Sequence, residues 1–173
     1  TLAYTDELTG LASRASFMQH MEEITKSSSR HGRRFGLLYI DLDNFKYIND
    51  SLGHDAGDLL LKTIAARLIA TCRDIDFIAR LGGDEFCILI EEVEADYAAN
   101  VAKRCLEAIS HPIGIYSRKI APACSIGIAY YPDDGANLSA LLKAGDISLY
   151  TAKENGKNQY AFYKAELTHK AEY

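Results

Sequence analysis

Two short clusters of acidic residues have the composition of a metal or general-base site. Asp41 and Asp43 end an apolar run, where a carboxylate is costly unless something such as a metal ion compensates it. Asp84 and Glu85 directly follow the glycine pair at 82–83, which lets the backbone approach a ligand closely because it carries no Cβ. Taken alone, the first cluster is also typical of carboxylates that cap a loop, and the second of a solvated turn.

Two lysines near the end of the chain could bind phosphate groups. Lys153 and Lys157 flank the sequence Glu-Asn-Gly, just after a predicted helix. As compact positive charges they suit phosphate, although they would equally complement the negative end of the helix dipole. The chain has no GxxxxGK[ST] loop, so any bound phosphates must be held in another way.

The composition is that of one folded domain. The 173 residues are 48% hydrophobic and 25% charged, which excludes an intrinsically disordered chain. The net charge of −5 argues against binding long nucleic acids, and no apolar run is long enough for a membrane span. The four cysteines and five histidines lack metal-ligand spacing, so we expect buried, reduced thiols in a cytoplasmic protein. A start without methionine or a signal peptide suggests a piece of a longer, multidomain protein.

Hydrophobic periodicity predicts the elements that must position these clusters. The apolar run 35–42 is too short for a core helix and predicts a central strand that is buried on both faces. The element order α-β-α-β-β-α-β-β-α-β predicts an α+β (α/β sandwich) domain with flanking helices. A first helix is predicted from about residue 13 to a serine loop at 27–29, and further helices are predicted at about 55–72, at about 98–109 and from 138 onward. The other predicted strands are 77–81, 85–90, 113–116, 121–130 and 160–163.

The strands 77–81 and 85–90 form a predicted hairpin. Gly-Gly is a strong turn signal because the favoured two-residue turns require positive φ. A turn at Gly82 and Gly83 would place Leu81 opposite Asp84, and Arg80 opposite Glu85.

Six segments in a consistent order and spacing carry a resemblance to a known family. They are Asp6–Arg14 (DxLTGLxNR, with Ser13 in place of Asn), Asp41–Asp50 (DxDxFKxxND), Gly53–Asp58 (GHxxGD), Gly82–Phe86 (GGDEF), Ser125–Ala129 and Ala152–Asn158. With these segments the chain resembles the GGDEF domain of bacterial diguanylate cyclases along nearly its whole length. The resemblance implies a mostly antiparallel sheet like that of nucleotide cyclases and polymerase palms.

The resemblance also implies a reaction, the condensation of two GTP molecules into cyclic di-GMP with release of pyrophosphate. In the family, two divalent metal ions, Mg²⁺ or Mn²⁺, occupy each active site. Their expected ligands here are Asp41, the carbonyl of Leu42, Asp84 and Glu85. Asp84 is also the candidate general base.

The GTP-binding residues follow from the same resemblance. Asn49 and Asp58 would recognise the guanine edge, because an amide together with a carboxylate can distinguish guanine from adenine. The phosphates would be held by the backbone near Asn44 and Phe45, and by lysines that include Lys46. Lys153 and Lys157 complete this set, although the family more often has arginine at the latter position, so the bidentate contact is lost.

An Arg-x-x-Asp sequence precedes the hairpin and is similar to the family's inhibitory site. Arg73 and Asp76 would bind the product, with Arg80 either assisting them or pairing with Glu85. The same two residues are also compatible with an ordinary surface pair at a helix end.

Three functional interpretations remain open at this stage. The first is an active cyclase that needs a homodimer, because each domain holds one GTP, so the isolated piece should be weakly active. The second is a catalytically silent module that binds GTP or product and controls a tethered EAL phosphodiesterase domain. The segment 50–54 and the tail from Phe162 and Tyr163 to Glu172 resemble those of chains that continue into such a domain. A cyclase or polymerase for another nucleotide is disfavoured by Asn49 and Asp58.

Overall fold

The computed structural model describes residues 4–91, 94 and 96–164, so the predictions about the first three residues and most of the tail lie outside the described residues. Five α-helices and seven β-strands follow one another within these residues. In chain order they are α1 (Arg14–His31), β1 (Phe35–Leu42), α2 (Phe45–Leu52), α3 (His54–Thr71), β2 (Phe77–Gly82), β3 (Glu85–Glu91), α4 (Tyr97–Ser110), β4 (Ile113–Ile115), β5 (Arg118–Ile120), β6 (Cys124–Tyr131), α5 (Leu138–Glu154) and β7 (Tyr160–Phe162).

Five strands form one sheet in the order β2-β3-β1-β6-β7. The strand pairs are antiparallel except β6 and β7, which run parallel, so the predicted α+β architecture with a mostly antiparallel sheet is confirmed. β1 lies in the middle, as its unbroken apolar sequence predicts. β4 and β5 form a separate hairpin.

Helices cover both faces of this sheet and bury two hydrophobic clusters. Because successive strand residues point to opposite faces, Leu38 and Ile40 of β1 pack with the apolar residues of α3 and α4. Leu37 belongs to the cluster that includes residues of α1 and α5 on the other face. The end of β1 therefore emerges from a core that is packed on both sides.

The hairpin between β2 and β3 differs from the prediction by one position. Gly82 pairs with Glu85 and Arg80 pairs with Phe86, with an irregularity between Arg80 and Gly82. The turn therefore comprises Gly83 and Asp84, and the predicted pairing of Arg80 with Glu85 is wrong. Glycines at both 82 and 83 have positive φ, so the two possible turns have similar sequence signals.

Three segments also differ in secondary structure from the sequence prediction. The serine run 27–29 continues α1, which ends only where Gly32 adopts a left-handed conformation. The segment 45–52 forms the helix α2, whose apolar side chains pack on the core although eight residues give a weak periodic signal. The segment 118–120 is strand β5 rather than a polar loop, and β6 begins at Cys124.

All four cysteines are free thiols, and three of them are buried as predicted, whereas Cys72 is only partly buried. Among the described residues, no helix combines the length and apolar character needed to cross a membrane.

Candidate active site

The two acidic clusters meet at one edge of the sheet because β1 and β3 run antiparallel. Asp41, near the end of β1, is directly opposite Glu85, the first residue of β3. The backbone N–H of Leu42 donates a hydrogen bond to the carbonyl of Asp84 at 3.3 Å. Residues more than 40 positions apart in the sequence thus lie side by side.

The carboxyl groups of Asp41 and Asp84 are neighbours with unequal environments. Lys153 of α5 forms an ion pair with Asp41 Oδ2. With both carboxyls ionised, Asp41 Oδ1 is a buried acceptor without a hydrogen-bond partner among the described residues. Burial is the largest of the causes that raise the pKa of Asp84 to about 7. The hydrogen bond that protonated Asp84 makes with Asp41, and the negative charge of Asp41, act in the same direction. The pair therefore requires either a proton or a cation near neutral pH.

This shift predicts the pH dependence of stability in metal-free protein. The folded state keeps the proton on Asp84 up to about pH 7, whereas the unfolded state loses it near the ordinary value of 3.8. The free energy of unfolding should therefore fall as pH rises through this window, because the folded state binds more protons. Urea unfolding at several pH values in a chelator should show this fall, and Asp84→Asn should reduce it. An identical slope in both proteins would contradict the assignment.

Glu85 points to the face of the sheet that α1 and α5 cover. Its Oε2 accepts a hydrogen bond from the Tyr39 hydroxyl at 3.1 Å. Burial and the nearby Glu85 carboxylate raise the pKa of Tyr39, so the hydroxyl stays protonated and can donate. Both residues line a cleft of about 500 Å³ together with Arg14 and Asp146.

Asp43 has a structural role, whereas the sequence analysis had grouped it with Asp41 in one acidic cluster. Its side chain is buried and accepts hydrogen bonds from Ser125 Oγ at 2.7 Å and from the backbone N–H of Asn158 at 2.9 Å. Asp43 thereby connects the end of β1 to β6 and to the segment after α5. That segment carries the predicted phosphate-binding lysines.

The start of α2 lies beside this acidic edge and is open to an anion. Asn44 adopts a left-handed conformation with φ of 60° and does not cap the helix with its side chain. The first N–H groups of α2, at Phe45 and Lys46, therefore face the N-terminal end of the helix without a cap from Asn44. Lys157 Nζ donates to Asn44 Oδ1 at 3.3 Å, so one predicted phosphate ligand already contacts this turn.

The predicted guanine-binding residues lie in two consecutive helices, Asn49 in α2 and Asp58 in α3. The side-chain amide of Asn49 contacts His54 Nδ1 at 3.2 Å, and its Oδ1 is buried without a partner among the described residues. A Cβ added at Gly57 would lie 2.1 Å from this oxygen, so the glycine makes room for it. Asp58 is exposed at the next position. The unpartnered amide oxygen of Asn49 belongs to α2 and the exposed Asp58 belongs to the adjacent helix α3.

Arg73 and Asp76 form a compact cluster before β2. Asp76 is buried and accepts hydrogen bonds from the Arg73 backbone at 2.9 Å, the Arg73 guanidinium at 3.1 Å and the Tyr97 hydroxyl at 3.2 Å. The Arg73 guanidinium also stacks over the Tyr97 ring, 4.1 Å from its centroid. This geometry is more ordered than that of a simple surface pair, and Arg73 itself is exposed.

The structure does not bring Arg80 to Arg73 and Asp76, contrary to one prediction. Its guanidinium donates to the Gly83 carbonyl at 2.8 and 3.0 Å and to Asp6 Oδ1 at 3.0 Å. Asp6 is in turn held by the backbone and hydroxyl of Thr9 at 3.0 and 2.6 Å. Arg80 therefore stabilises the hairpin turn that carries Asp84. The Asp6–Arg14 segment gave no direct sequence signal for this role.

The chemistry of the acidic edge fits a divalent cation. A cation would satisfy the unpaired Asp41 oxygen and would reduce the repulsion between Asp41 and Asp84. In the present side-chain positions, the described residues contain no group of three or more His, Cys, Asp or Glu side chains arranged to hold a metal ion. The side chain of Glu85 is hydrogen-bonded to Tyr39 and would have to change its conformation to become a third ligand.

A mostly antiparallel sheet with paired carboxylates and a lysine at the end of its central strand defines a domain of the nucleotide-cyclase type. The sequence model described as "Diguanylate cyclase, GGDEF domain" matches residues 3–159. The chain therefore belongs to the GGDEF domain family, as its motifs indicated.

Individual relatives agree with this assignment. The chain is 42% identical over 171 residues to the bifunctional diguanylate cyclase/cyclic di-GMP phosphodiesterase MucR of Pseudomonas aeruginosa, covering 99% of this chain and 25% of that protein. It is 36% identical to the cyclic di-GMP phosphodiesterase NbdA of the same organism, covering 96% of this chain and 21% of that protein. The solved GGDEF domain of P. aeruginosa TpbB (YfiN) superposes with a TM-score of 0.92 at 32% identity, covering 98% and 99% of the two chains. The chain thus spans about a quarter of the length of the curated relatives it matches.

Proposed function

We propose that this domain condenses two GTP molecules into cyclic di-GMP and pyrophosphate. The observation that carries the proposal is the carboxylate pair Asp41 and Asp84, with Lys153 beside it, next to the open start of α2. Such an arrangement can bind a metal-bound triphosphate, because the carboxylates attract cations and the helix start attracts anions. Membership of the GGDEF family supports cyclic di-GMP synthesis as the chemistry.

In the proposed reaction, the 3′-hydroxyl of each GTP attacks the α-phosphorus of the other, so that two phosphodiester bonds form and two pyrophosphates leave. Asp41, Asp84, Glu85 and the carbonyl of Leu42 would hold two divalent ions, Mg²⁺ or Mn²⁺. When bound, these ions activate the hydroxyl and stabilise phosphate charge. Asp84, which lies beside the proposed ion site, is also the candidate acceptor of the hydroxyl proton.

The phosphates would be held by residues from separate parts of the chain. Backbone N–H groups at Phe45 and Lys46 face the helix start, and Asn44 contacts Lys157. Lys153 now pairs with Asp41, and in the complex its ammonium group could contact phosphate oxygens as well. The exposed glycines at 82 and 83 allow the nucleotide to approach the hairpin backbone.

Guanine selection would depend on Asn49 and Asp58. A carboxylate can accept hydrogen bonds from guanine N–H groups that adenine lacks in this arrangement. Because Asp58 is exposed, Asp58→Ala should fold normally, yet lower the preference for GTP over ATP by about tenfold, the usual worth of a hydrogen bond to a charged group. Competition binding of GTP and ATP to both proteins would measure this change, with Asp55→Ala in the same helix as a control. An unchanged preference would argue against guanine recognition at this position.

The reaction requires two domains that face each other, since each is proposed to bind one GTP. Purified protein should be incubated with GTP and Mg²⁺ over a range of protein concentrations, and cyclic di-GMP should be quantified. We expect the activity per domain to rise with protein concentration, as a homodimer forms. Activity per domain that is constant across the dimerisation range would contradict the two-domain mechanism, and no product at any concentration would contradict the cyclase.

A second candidate function is a silent GTP- or product-binding module. The name of one relative supports this alternative, because NbdA is named only as a phosphodiesterase. A tethered EAL domain, or sensory domains, would then supply the output or the input. GTP binding without turnover, even at high protein concentration, would favour this interpretation over the cyclase.

We further propose that cyclic di-GMP inhibits the domain by binding at Arg73 and Asp76. Arg73 is exposed and held in place by Asp76 and Tyr97, so its guanidinium is presented to a phosphate or guanine group. Arg73→Ala should raise the concentration of cyclic di-GMP needed for half inhibition by about tenfold or more. The exposed Arg118 offers a control, since Arg118→Ala should leave inhibition unchanged. Equal inhibition of both variants would leave only a structural role for the pair.

A further inference from the structure

The side chain of Glu85 has two neighbours along β1, Asp41 and Tyr39. Glu85 lies directly opposite Asp41 in the antiparallel pair of β3 and β1, and Tyr39 lies two positions earlier on the same face of β1. Tyr39 is therefore the diagonal neighbour of Glu85, at a separation that long side chains can bridge. In the structure the Tyr39 hydroxyl donates a hydrogen bond to Glu85 Oε2 at 3.1 Å. Glu85 is thus bonded to Tyr39, although its backbone is paired with Asp41.

The ring of Tyr39 is ordered by packing, which fixes the position of its hydroxyl. Tyr39 packs against the hydrophobic cluster on the side of the sheet that α1 and α5 cover. Its ring lies close to the backbone of α5, because a Cβ added at Gly145 would be 3.5 Å from Tyr39 Cδ2. The hydrogen bond to Glu85 therefore costs Tyr39 little further conformational entropy.

The hydrogen bond from Tyr39 is what holds the carboxylate of Glu85 in this position. Arg14 and Lys143 line the same cleft. None of the ion pairs among the described residues includes Glu85, however. Leaving this position therefore costs Glu85 one hydrogen bond and no ion pair.

The charge at the acidic edge determines which neighbour Glu85 prefers. Asp41 and Asp84 lie side by side at this edge, and no third acidic side chain is grouped with them in the part of the chain that the structure describes. A third carboxylate would add repulsion unless a cation compensates it, so the neutral Tyr39 hydroxyl is the better partner in the empty site. With a divalent cation bound, the acidic edge becomes the better place for Glu85.

We propose that Tyr39 is a positioning residue that holds Glu85 outside the metal site of the empty domain, and that Glu85 exchanges the Tyr39 hydroxyl for the cation when the site is loaded. The inference rests on the proposed function, because it takes Glu85 as a metal ligand. Part of the binding free energy is then used to break the hydrogen bond, so the apparent affinity for the cation is lower than the carboxylates alone would give. Tyr39 thereby sets the cation concentration at which the site is complete.

Titration of the folded 173-residue chain with Mn²⁺ in the absence of nucleotide tests this exchange, with free Mn²⁺ measured by electron paramagnetic resonance. Tyr39→Phe keeps the packed ring and removes the donor, so we expect Mn²⁺ to bind about tenfold more tightly, the usual worth of a hydrogen bond to a charged group. Tyr116→Phe, the same change at an exposed residue between β4 and β5, should leave the Kd unchanged. A packing defect would weaken binding, so tighter binding separates the proposed role from a merely structural one.

Glu85→Ala shows whether Tyr39 acts through Glu85. In this background Tyr39→Phe should leave the affinity for Mn²⁺ unchanged, because the carboxylate that the hydroxyl positions is gone. Unchanged or weaker Mn²⁺ binding by the single variant Tyr39→Phe would overturn the proposal. Equal tightening in both backgrounds would overturn it as well, since Tyr39 would then act by another route.

Asp84→Ala distinguishes failure of this inference from failure of the proposed function. Mn²⁺ binding that this variant loses is binding at the acidic edge. If the wild type binds Mn²⁺ there and Tyr39→Phe does not tighten it, only the role of Tyr39 is contradicted. If the wild type shows no Mn²⁺ binding that depends on Asp84, the proposed metal site is contradicted, and the role of Tyr39 with it.

Discussion

Asp84→Ala is expected to lower the rate of cyclic di-GMP formation by about 10³-fold or more. The substitution removes one of the two carboxylates that share the acidic edge, and with it a proposed metal ligand and proton acceptor. The rate would be measured from product accumulation at saturating GTP and Mg²⁺, at one high protein concentration. Asp41 and Lys153 remain in this variant, so their ion pair should still hold the end of β1 to α5.

Asp84→Asn provides the matched comparison for this prediction. It keeps the shape of the side chain but removes its charge, so it should lose activity nearly as completely as the alanine variant. Near neutral pH both variants should unfold at temperatures no lower than that of the metal-free wild type, because they lack the carboxyl whose raised pKa lowers its stability, and this separates loss of chemistry from loss of fold. Wild-type activity in either variant would contradict the proposed site, because Asp84 is its central carboxylate.

Gly127→Ala is expected to destabilise the domain by about 3 kcal/mol or more, and to lower Tm by roughly 6–12 °C. Gly127 lies in β6 where α5 crosses it. An added Cβ would lie 2.3 Å from the backbone nitrogen of Leu149 and 2.4 Å from the carbonyl oxygen of Gly145. Because both atoms belong to the helix backbone, the helix itself would have to move away from the sheet. Thermal and urea unfolding would measure the loss.

Gly114→Ala is the control for this substitution. Gly114 also lies in a strand, but a Cβ there would meet no atom within 4 Å. Its stability should change by less than about 0.5 kcal/mol, as is usual for surface substitutions. Similar stability of the two variants would show that α5 can adjust without cost. In Gly127→Ala the activity should also fall, since α5 carries Lys153.

Most of the fold could be predicted from local patterns in the sequence. The apolar run of β1, the helical spacing of α3 and the glycine turn each reflect a periodicity that the backbone imposes on its own segment. The helix α2 was missed because eight residues contain only two turns, and its burial depends on contacts with the core. The turn position was missed by one residue because the sequence Gly-Gly-Asp permits two registers that differ only in cross-strand packing.

Some residues of the candidate site could be predicted from the sequence, and others could not. The identities of Asp41, Asp84 and Lys153 stand out in the sequence, and the structure brings them together. The role of Asp43 could not be predicted, because its partners Ser125 and Asn158 are distant in sequence. The same is true of the Tyr39 hydroxyl that holds Glu85.

The family, the order of the main elements and the residues that carry chemistry follow from the sequence alone, because these depend on residue types and on short spacings. The three-dimensional structure was needed to show that Asp43 rather than Asp41 anchors the loop, and that Arg80 holds Asp6 rather than joining Arg73. These outcomes depend on strand register and helix packing. Such contacts form between segments whose separation in sequence leaves no periodic signal.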